Sequence, residues 1–220
     1  MTDISGWQQS PDQIRTPSPL EIAIVSGRIC RYAGNLPCSL LTHVLVGARV
    51  VWHLLRHKSA AMEQRLETFA WWMLHDAHEL ITGDFAPHKC NDVKAWQTRI
   101  DDANACIYGI DRDLVDEVVI HSADLLSRWL EAHFYGSAKF METFEAHHKY
   151  TVPSPEMQRE TIGIFRSEFG RFSSCVVDEN ENPGLHFPVV TYHTILEAIL
   201  SGQKRKAVEY YDGMVVELGL

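Results

Sequence analysis

The pair His75-Asp76 joins an imidazole to a carboxylate, two side chains that together suit a divalent transition metal, in a stretch whose apolar spacing predicts a helix. Glu79 follows four residues after His75 and three after Asp76, so a helix would bring all three side chains to one face. A carboxylate beside a bound metal can position or deprotonate a water molecule. These residues predict a metal-dependent hydrolase, provided that other parts of the chain complete the ligand set.

Two distant segments contain residues that would complete it. His43 lies near the start of an apolar run, residues 44–55, which predicts a helix with one face in the core. Asp124 lies among apolar residues at helical spacing, where burying an unpaired carboxylate is costly unless it binds a metal or a cation. We therefore predict that His43, His75, Asp76 and Asp124 bind one divalent ion (Mn, Co, Zn, Fe or Mg), and we leave a second ion open.

The order of these ligands resembles the H…HD…D pattern of the HD-domain phosphohydrolases. Residues 28–34, Arg-Ile-Cys-Arg-Tyr-Ala-Gly, are similar to the segment before the first His in HD nucleotide hydrolases. Residues 75–84, His-Asp-Ala-His-Glu-Leu-Ile-Thr-Gly-Asp, resemble their HDA-x-E-x-x-x-GD stretch. The likeness covers about residues 19–134, and the most similar members are bacterial 5′-deoxynucleotidases and phage dATP triphosphohydrolases.

The resemblance implies an all-α fold, an HD-domain helical bundle whose metal site is gathered from several helices. It also implies a phosphohydrolase that removes 5′-phosphate groups from deoxynucleotides, with dATP as the favoured substrate, as in phage control of nucleotide pools. One alternative is a 5′-deoxymononucleotidase, which converts a dNMP to a deoxynucleoside and phosphate. A second is a non-catalytic nucleotide-binding HD protein, which the presence of all four ligands argues against.

The resemblance also suggests roles around the metal. Asp76 would act at the metal, and Glu79 would orient or deprotonate the attacking water. Arg31 would bind phosphate oxygens, because a guanidinium can contact phosphate bidentately. Tyr32 would contact the base or the deoxyribose through its ring.

Four further polar residues are candidates near the site. Lys89 would neutralise phosphate oxygens, although it lies one residue nearer the His-Asp pair than the lysine expected in the family. Asp84 follows Gly83 and would either contact the sugar or order a tight turn. His78 could reach a negatively charged substrate, or it could be a surface residue or support the metal site. His121 could contact a second metal or a phosphate or be a partly buried, satisfied histidine.

Composition sets the broad class. A chain of 220 residues with 45% hydrophobic residues predicts one domain, 1–220, with a recognisable core at about 19–134 and a C-terminal helical extension at about 150–220. A net charge of −9 argues against long nucleic acids as partners. Five cysteines without a C-x-x-C pair, no signal pattern and no membrane-spanning run predict a cytoplasmic protein, in the host cytoplasm if it is phage-encoded. We expect a small-molecule deoxynucleotide partner and a homo-oligomer.

Apolar periodicity predicts a nearly all-helical chain. In the first helix Ser18 is the expected N-cap and Pro19 the first residue. A break is expected near Ile120, a brief strand at 175–177, and a solvated basic helix start at 203–206. The predicted helices span residues 19–33, 42–57, 62–80, 91–108, 111–134, 137–148, 155–169, 191–200 and 203–216.

Overall fold

The computed structural model describes residues 16–32, 36, 38–83, 91–147, 154, 155, 159, 162 and 187–217. These residues are mostly helical and contain no strand, only one isolated antiparallel bridge between Cys30 and Ser39, which confirms the predicted all-α class. The helices are α1 (Pro19–Ser26), α2 (Leu40–Arg56), α3 (Met62–Trp72), α4 (Glu79–Thr82), α5 (Asn91–Ile107), α6 (Glu117–Tyr135), α7 (Ala138–His147), α8 (Phe187–Leu200) and α9 (Lys204–Glu217), with a 3₁₀ turn at Arg112–Leu114.

The first helix begins as predicted and ends seven residues early. The hydroxyl of Ser18 accepts the Glu21 N–H at 3.3 Å, and the Glu21 carboxylate accepts the Ser18 N–H at 2.9 Å, which completes a capping box. The helix ends at Ser26. Residues 29–31 instead pair with residues 38–40 through two backbone hydrogen bonds of 2.8 and 2.9 Å. The predicted end of the helix is wrong because backbone groups of residues 29–31 form hydrogen bonds with residues 38–40 instead of continuing the helix.

The centre of the fold is α2, which packs against α6 and α3. Gly47 allows this close approach, because a Cβ atom at its position would lie 2.0 Å from Cζ2 of Trp72. The buried Trp72 indole N–H donates to the Val44 carbonyl at 2.9 Å. The packing of α2 against α3 therefore brings the N-terminal half of α2 next to the end of α3.

The third helix ends at Trp72, although apolar spacing predicts one helix over 62–80. Three backbone hydrogen bonds of 2.9 Å that involve residues 73–78 span three residues rather than four: Leu74 N–H to the Trp71 carbonyl, Ala77 N–H to that of Leu74 and Glu79 N–H to that of Asp76. The Tyr192 hydroxyl donates to the Met73 carbonyl at 2.5 Å, an acceptor that a continuing helix would have used four residues later. The prediction that His75, Asp76 and Glu79 share one continuous helix is therefore wrong.

The predicted break in the 111–134 region exists, but it falls before Asp116 rather than near Ile120. The Asp116 carboxylate accepts the Val119 N–H at 3.0 Å and caps α6. From there α6 runs without interruption to Tyr135. Asp124 therefore lies within one continuous helix.

The remaining predicted helices that fall on described residues lie within four residues of their observed ends. The predicted helix over 155–169 lies outside the described residues apart from three single positions, and the predicted strand at 175–177 lies wholly outside them. No helix in the described part of the chain is both long and apolar enough to cross a membrane.

The two last helices pack against the site-bearing part of the fold. Helix α8 contacts α1 and α2, and α9 contacts α3. The Tyr211 hydroxyl donates to the Leu45 carbonyl at 2.7 Å. Lys204 lies 2.5 and 2.6 Å from the two carboxylate oxygens of Glu67, with its side chain only 13% exposed. The prediction of a solvated basic start at 203–206 is therefore wrong for Lys204.

Candidate metal centre

Three separate parts of the fold bring the predicted ligands together. His43 lies in the first turn of α2, His75 and Asp76 lie in the turns after α3, and Asp124 lies in α6. Each offers one ligand atom, and these four atoms lie within 4.8 Å of one another. The loss of a continuous third helix does not separate them, because the turns after Trp72 direct both His75 and Asp76 towards α2.

The donor atoms face one another at distances that suit one ion. Asp76 Oδ2 lies 3.4 Å from His43 Nε2 and 3.3 Å from His75 Nε2, and Asp124 Oδ1 lies 3.5 Å from His43 Nε2. An ion with bonds of roughly 2.1 Å places neighbouring donors roughly 3 to 3.5 Å apart. The spacing of the four side chains therefore fits a single small divalent cation.

Three of these atoms make no hydrogen bond within the described part of the chain. His43 Nε2, His75 Nε2 and Asp76 Oδ2 are buried and make no hydrogen bond to any described residue. Buried polar atoms in folded proteins are nearly always hydrogen-bonded, so three unsatisfied atoms at one point require an explanation. A bound cation supplies it, since each atom would then become a ligand.

Both imidazoles are oriented by a bond at their other nitrogen. His43 Nδ1 lies 2.5 Å from Oε1 of Glu131, and His75 Nδ1 lies 2.7 Å from the Trp72 carbonyl. Donation from each Nδ1–H leaves the Nε2 lone pair directed at the cluster, as a metal ligand requires. Burial lowers the pKa of His75 despite the opposing effect of Asp76, and this shift favours the neutral ring that binds a cation.

Glu131 was not predicted from the sequence. Its side chain is 1% exposed, and it lies seven residues after Asp124 on α6. It also lies inside the apolar run Trp-Leu-Glu-Ala, residues 129–132. The argument that singled out Asp124, the cost of burying a carboxylate on an apolar helix, applies equally to Glu131 and could have found it.

Asp76 has the charge that a ligand needs. Burial by itself would raise the pKa of Asp76, but His75, His43 and Arg31 together outweigh burial and hold this pKa well below its usual value. The carboxylate therefore stays ionised at neutral pH.

Arg31 is buried at the centre of the carboxylates rather than at a helix end. Its Nη1 lies 3.4 Å from Glu79 and 3.8 Å from Asp76, and its Nε lies 3.5 Å from Glu131. The residue is 3% exposed. Its predicted contact with phosphate stays a prediction, but the structure shows that three carboxylates already surround this guanidinium.

Arg128 is a second cation that sequence reasoning did not select. Its Nε donates to Asp124 Oδ1 at 2.9 Å, and its Nη2 lies 2.7 Å from Oδ2, a bidentate pair that fixes the carboxylate. The nearby Asp124 carboxylate raises the pKa of Arg128 although burial opposes this. An acid followed four residues later by a base on a helix is a readable signal, and it was present here.

The formal charges of this cluster leave room for one divalent ion. Asp76, Glu79, Asp124 and Glu131 contribute four negative charges, and Arg31 and Arg128 contribute two positive charges. Histidine binds a metal in its neutral form, so with both imidazoles as ligands two negative charges remain among the described residues. Buried charges are strongly unfavourable without compensation, so one divalent cation balances the site.

Glu79 lies beside the quartet. It begins α4 and is 5% exposed, and one of its oxygens lies within 4.8 Å of ligand atoms on Asp76 and His78. His78 is buried and its Nδ1 lies 2.9 Å from Oδ1 of Asp101 on α5. The structure therefore excludes the surface position considered for His78.

Tyr32 has its ring against α7. The ring centroid lies 5.4 Å from that of Phe140 and 6.4 Å from that of Phe144, both in edge-to-face geometry. Its hydroxyl donates to the Arg128 carbonyl at 3.4 Å, and burial raises the pKa of the phenol. Tyr32 also has a positive φ of 55°, an uncommon conformation for a residue with a large side chain. Its predicted contact with a nucleoside stays a prediction.

The last three predicted residues are Asp84, Lys89 and His121. Asp84 and Lys89 lie outside the described residues, so their predicted roles stay predictions. His121 is exposed, so the prediction of a partly buried histidine is wrong. It belongs to neither of the two groups of described side chains that could hold a metal ion.

A scan against protein-family models gives no match to this chain, and a search of curated proteins gives none. The function of the protein is therefore inferred from its residues and their geometry.

Proposed function

We propose that this protein is an HD-type, metal-dependent phosphohydrolase that removes 5′-phosphate groups from deoxynucleotides, with dATP as the favoured substrate. The observation that carries the proposal is a set of three buried donor atoms on His43, His75 and Asp76. They face one another, make no hydrogen bond to a described residue and lie beside the Glu79–Arg31 pair. This combination of imidazole and carboxylate donors with an adjacent carboxylate suits hydrolysis better than a purely structural ion, because a structural site needs no additional base.

His43, His75, Asp76 and Asp124 would hold the ion. A divalent metal bound by them lowers the pKa of a water molecule and neutralises charge on the phosphate oxygens. Glu79 accepts the proton of the attacking water as the water oxygen bonds to phosphorus and the phosphorus–oxygen bond to the leaving group breaks. Arg31, 3.4 Å from Glu79, holds that carboxylate in place.

The donor set narrows the choice of metal only in part. Two imidazole nitrogens and two carboxylate oxygens are compatible with Mn, Co, Zn and Fe, and less typical of Mg, which prefers oxygen ligands. The formal charge balance favours one ion over two.

A 5′-deoxymononucleotidase is a second candidate, and one observation favours it. Among the described residues of the site, both arginines are paired with carboxylates: Arg31 with three, and Arg128 bidentately with one. A triphosphate brings more negative charge than a monophosphate and needs more cations beyond the α-phosphate. The described part of the site provides for one phosphate more readily than for three.

A phosphate-release assay tests the proposal and separates the two substrates. The protein is stripped with a chelator, reloaded with Mn, Co, Zn or Mg, and given dATP, dAMP, other deoxynucleotides and ATP. We expect metal-dependent turnover of a deoxynucleotide. Release of triphosphate from dATP with no activity on dAMP indicates the triphosphohydrolase, whereas phosphate release from dAMP alone indicates the mononucleotidase.

Two variants connect the activity to the site. Asp76→Ala should lose both metal and turnover, and Glu79→Gln should keep the metal but slow turnover by about 10²–10⁴-fold, because an amide cannot accept the proton. Asp102→Asn, which changes an exposed carboxylate on α5, is the control. Near-normal turnover in folded Asp76→Ala protein would contradict the proposal, and nucleotide binding without turnover in the metal-loaded wild type would indicate a non-catalytic nucleotide-binding protein.

A further inference from the structure

A cavity lies on α2, on the side of the helix away from the candidate metal centre. It has a volume of about 220 Å³ and is lined by Arg49, Trp52, His53 and Arg56. These residues lie roughly 180 to 280° around the helix axis from His43, at about 100° per residue. The cavity is therefore a separate feature from the site proposed above.

The cavity lies in a locally basic part of an acidic protein. Residues 49–58 contain two arginines, one lysine and two histidines and no aspartate or glutamate, whereas the whole chain has a net charge of −9. Such a local concentration of positive charge attracts anions even when the net charge of the protein repels them.

The two arginines share one distant carboxylate. Arg49 Nη1 lies 3.7 Å from Asp212, and Arg56 Nη2 lies 4.0 Å from it. Charge-assisted hydrogen bonds are about 2.7–2.9 Å long, so neither distance is a direct bidentate pair. Two planar guanidinium groups thus face one carboxylate and keep donors available to an anion that enters the cavity.

Trp52 forms a rigid wall of the cavity. Its indole Nε1 is buried and makes no hydrogen bond to any residue in the described ranges. The Trp52 ring contacts Phe69 edge-to-face, with centroids 6.0 Å apart, so the indole is held in place. Trp52 is therefore a fixed wall of the cavity, and the two guanidinium groups supply the charged donors that line it.

We propose that this cavity binds the phosphate group of a small metabolite. A guanidinium contacts phosphate oxygens bidentately, and two of them on one helix face can contact a tetrahedral anion from two directions. The volume is below the roughly 300 Å³ at which pockets for drug-sized ligands begin. The cavity is thus suited to a phosphate or diphosphate group, with any attached organic group extending towards solvent beside the exposed Arg56 side chain.

Calorimetric titration with inorganic pyrophosphate tests this site independently of hydrolysis. Full-length Asp76→Ala protein and wild-type protein are both titrated in chelator at low ionic strength, so that the metal centre does not contribute. We expect binding to both. Arg49→Gln and Arg56→Gln should each weaken it about tenfold, the effect of losing one charge-assisted contact. Asp212→Asn should strengthen it, because it removes the carboxylate that competes with the anion.

Arg99→Gln is the matched control, since Arg99 is an exposed arginine on α5, away from the cavity. Pyrophosphate binding that is absent from the wild type, or equally strong in Arg56→Gln and Arg99→Gln, would overturn the proposal. Citrate is the comparison anion, and tighter binding of citrate than of pyrophosphate would overturn the assignment to phosphate. Arg56 has an exposed side chain, so its variant should fold normally, which circular dichroism verifies.

Discussion

Glu131 is the residue that orients His43. Its carboxylate lies 2.5 Å from His43 Nδ1, so it selects the tautomer that directs Nε2 at the proposed metal. We expect Glu131→Gln to weaken metal binding by about 10–100-fold, the usual effect of altering a group that supports a ligand. A competition titration against a metal-binding dye measures this affinity.

The exposed Glu142 on α7 provides the control for that measurement. Glu142→Gln should bind metal as the wild type does. An unchanged dissociation constant in folded Glu131→Gln protein would show that the His43 ring is oriented without the charge of Glu131.

Arg31 can be tested for two roles at once. Three carboxylates lie within 3.8 Å of its guanidinium, so its removal leaves buried negative charges without compensation. We expect Arg31→Ala to lower the free energy of unfolding by about 3 kcal/mol in chelator, as for other broken buried ion pairs. Added metal should reduce this loss, because it supplies positive charge at the same place. Urea unfolding with and without metal measures both effects.

Arg28→Ala is the matched control, because Arg28 is exposed and lies three residues earlier. It should be as stable as the wild type. If Arg31→Ala is also that stable and only raises KM for nucleotides, Arg31 is a phosphate ligand rather than a partner of the buried carboxylates.

At the scale of the element, Gly47 decides how closely α2 approaches Trp72. Replacing a helical Gly by Ala usually stabilises a protein by about 1 kcal/mol. At Gly47 the added Cβ would lie 2.0 Å from the Trp72 ring, and such overpacking costs about 1–3 kcal/mol. We expect Gly47→Ala to be destabilising overall, as measured by thermal unfolding.

The chain contains its own control for this effect. Gly213 also lies in a helix, and a Cβ atom there would meet no atom within 4 Å. Gly213→Ala should therefore raise the melting temperature. If the two substitutions shift the melting temperature in the same direction, close packing against Trp72 does not determine the effect at Gly47.

Asp116 caps α6, the helix that carries both Asp124 and Glu131. Burial would raise the pKa of Asp116, but hydrogen bonds from Lys58 and from the Val119 N–H outweigh it, so the pKa is lower in the folded state than in the unfolded state. The resulting stabilisation is present above the unfolded pKa of about 3.9 and is lost as the pH falls through the folded pKa.

Asp116→Ala should therefore cost about 1 kcal/mol at pH 7, the usual value of a helix cap, and less at pH 3. Urea unfolding at the two pH values measures the difference. Asp116→Asn keeps a capping side chain that does not titrate, so its own unfolding curves serve as the comparison. An Asp116→Ala deficit that is equally large at pH 3 would contradict the capping role of the ionised carboxylate.

At the scale of the whole molecule, Lys204 joins the C-terminal helices to the rest. Its ammonium contacts both oxygens of Glu67 on α3 and donates to the Gly109 carbonyl at 2.6 Å. Glu67 is buried, so Lys204→Met leaves a carboxylate without its cation, and we expect a loss of about 3 kcal/mol in the free energy of unfolding. Arg205→Met, at the exposed neighbouring position, should change it by less than about 0.5 kcal/mol. Equal losses in the two variants would exclude this role of Lys204.

By itself the sequence determined the helical class, the start of α1 and the four residues that meet at the candidate metal centre. These follow from local physics. A capping box involves residues three apart, helix periodicity is read within about 11–18 residues, and the cost of burying a carboxylate on an apolar helix singles out Asp124. Glu131 satisfies the same criterion, so this residue could also have been predicted from the sequence.

Only the tertiary structure decided where α3 ends, which carboxylates surround Arg31 and how His43 is oriented. The Tyr192 hydroxyl donates to the carbonyl of Met73, which is 119 residues away in the sequence, and Glu131 bonds to His43, which is 88 residues away. Contacts between such distant residues cannot be predicted from sequence periodicity, because many partners are compatible with the same local pattern. The packing of α2 against α3 and α6 selects one set of partners, and that selection brings the four donor atoms within 4.8 Å of one another.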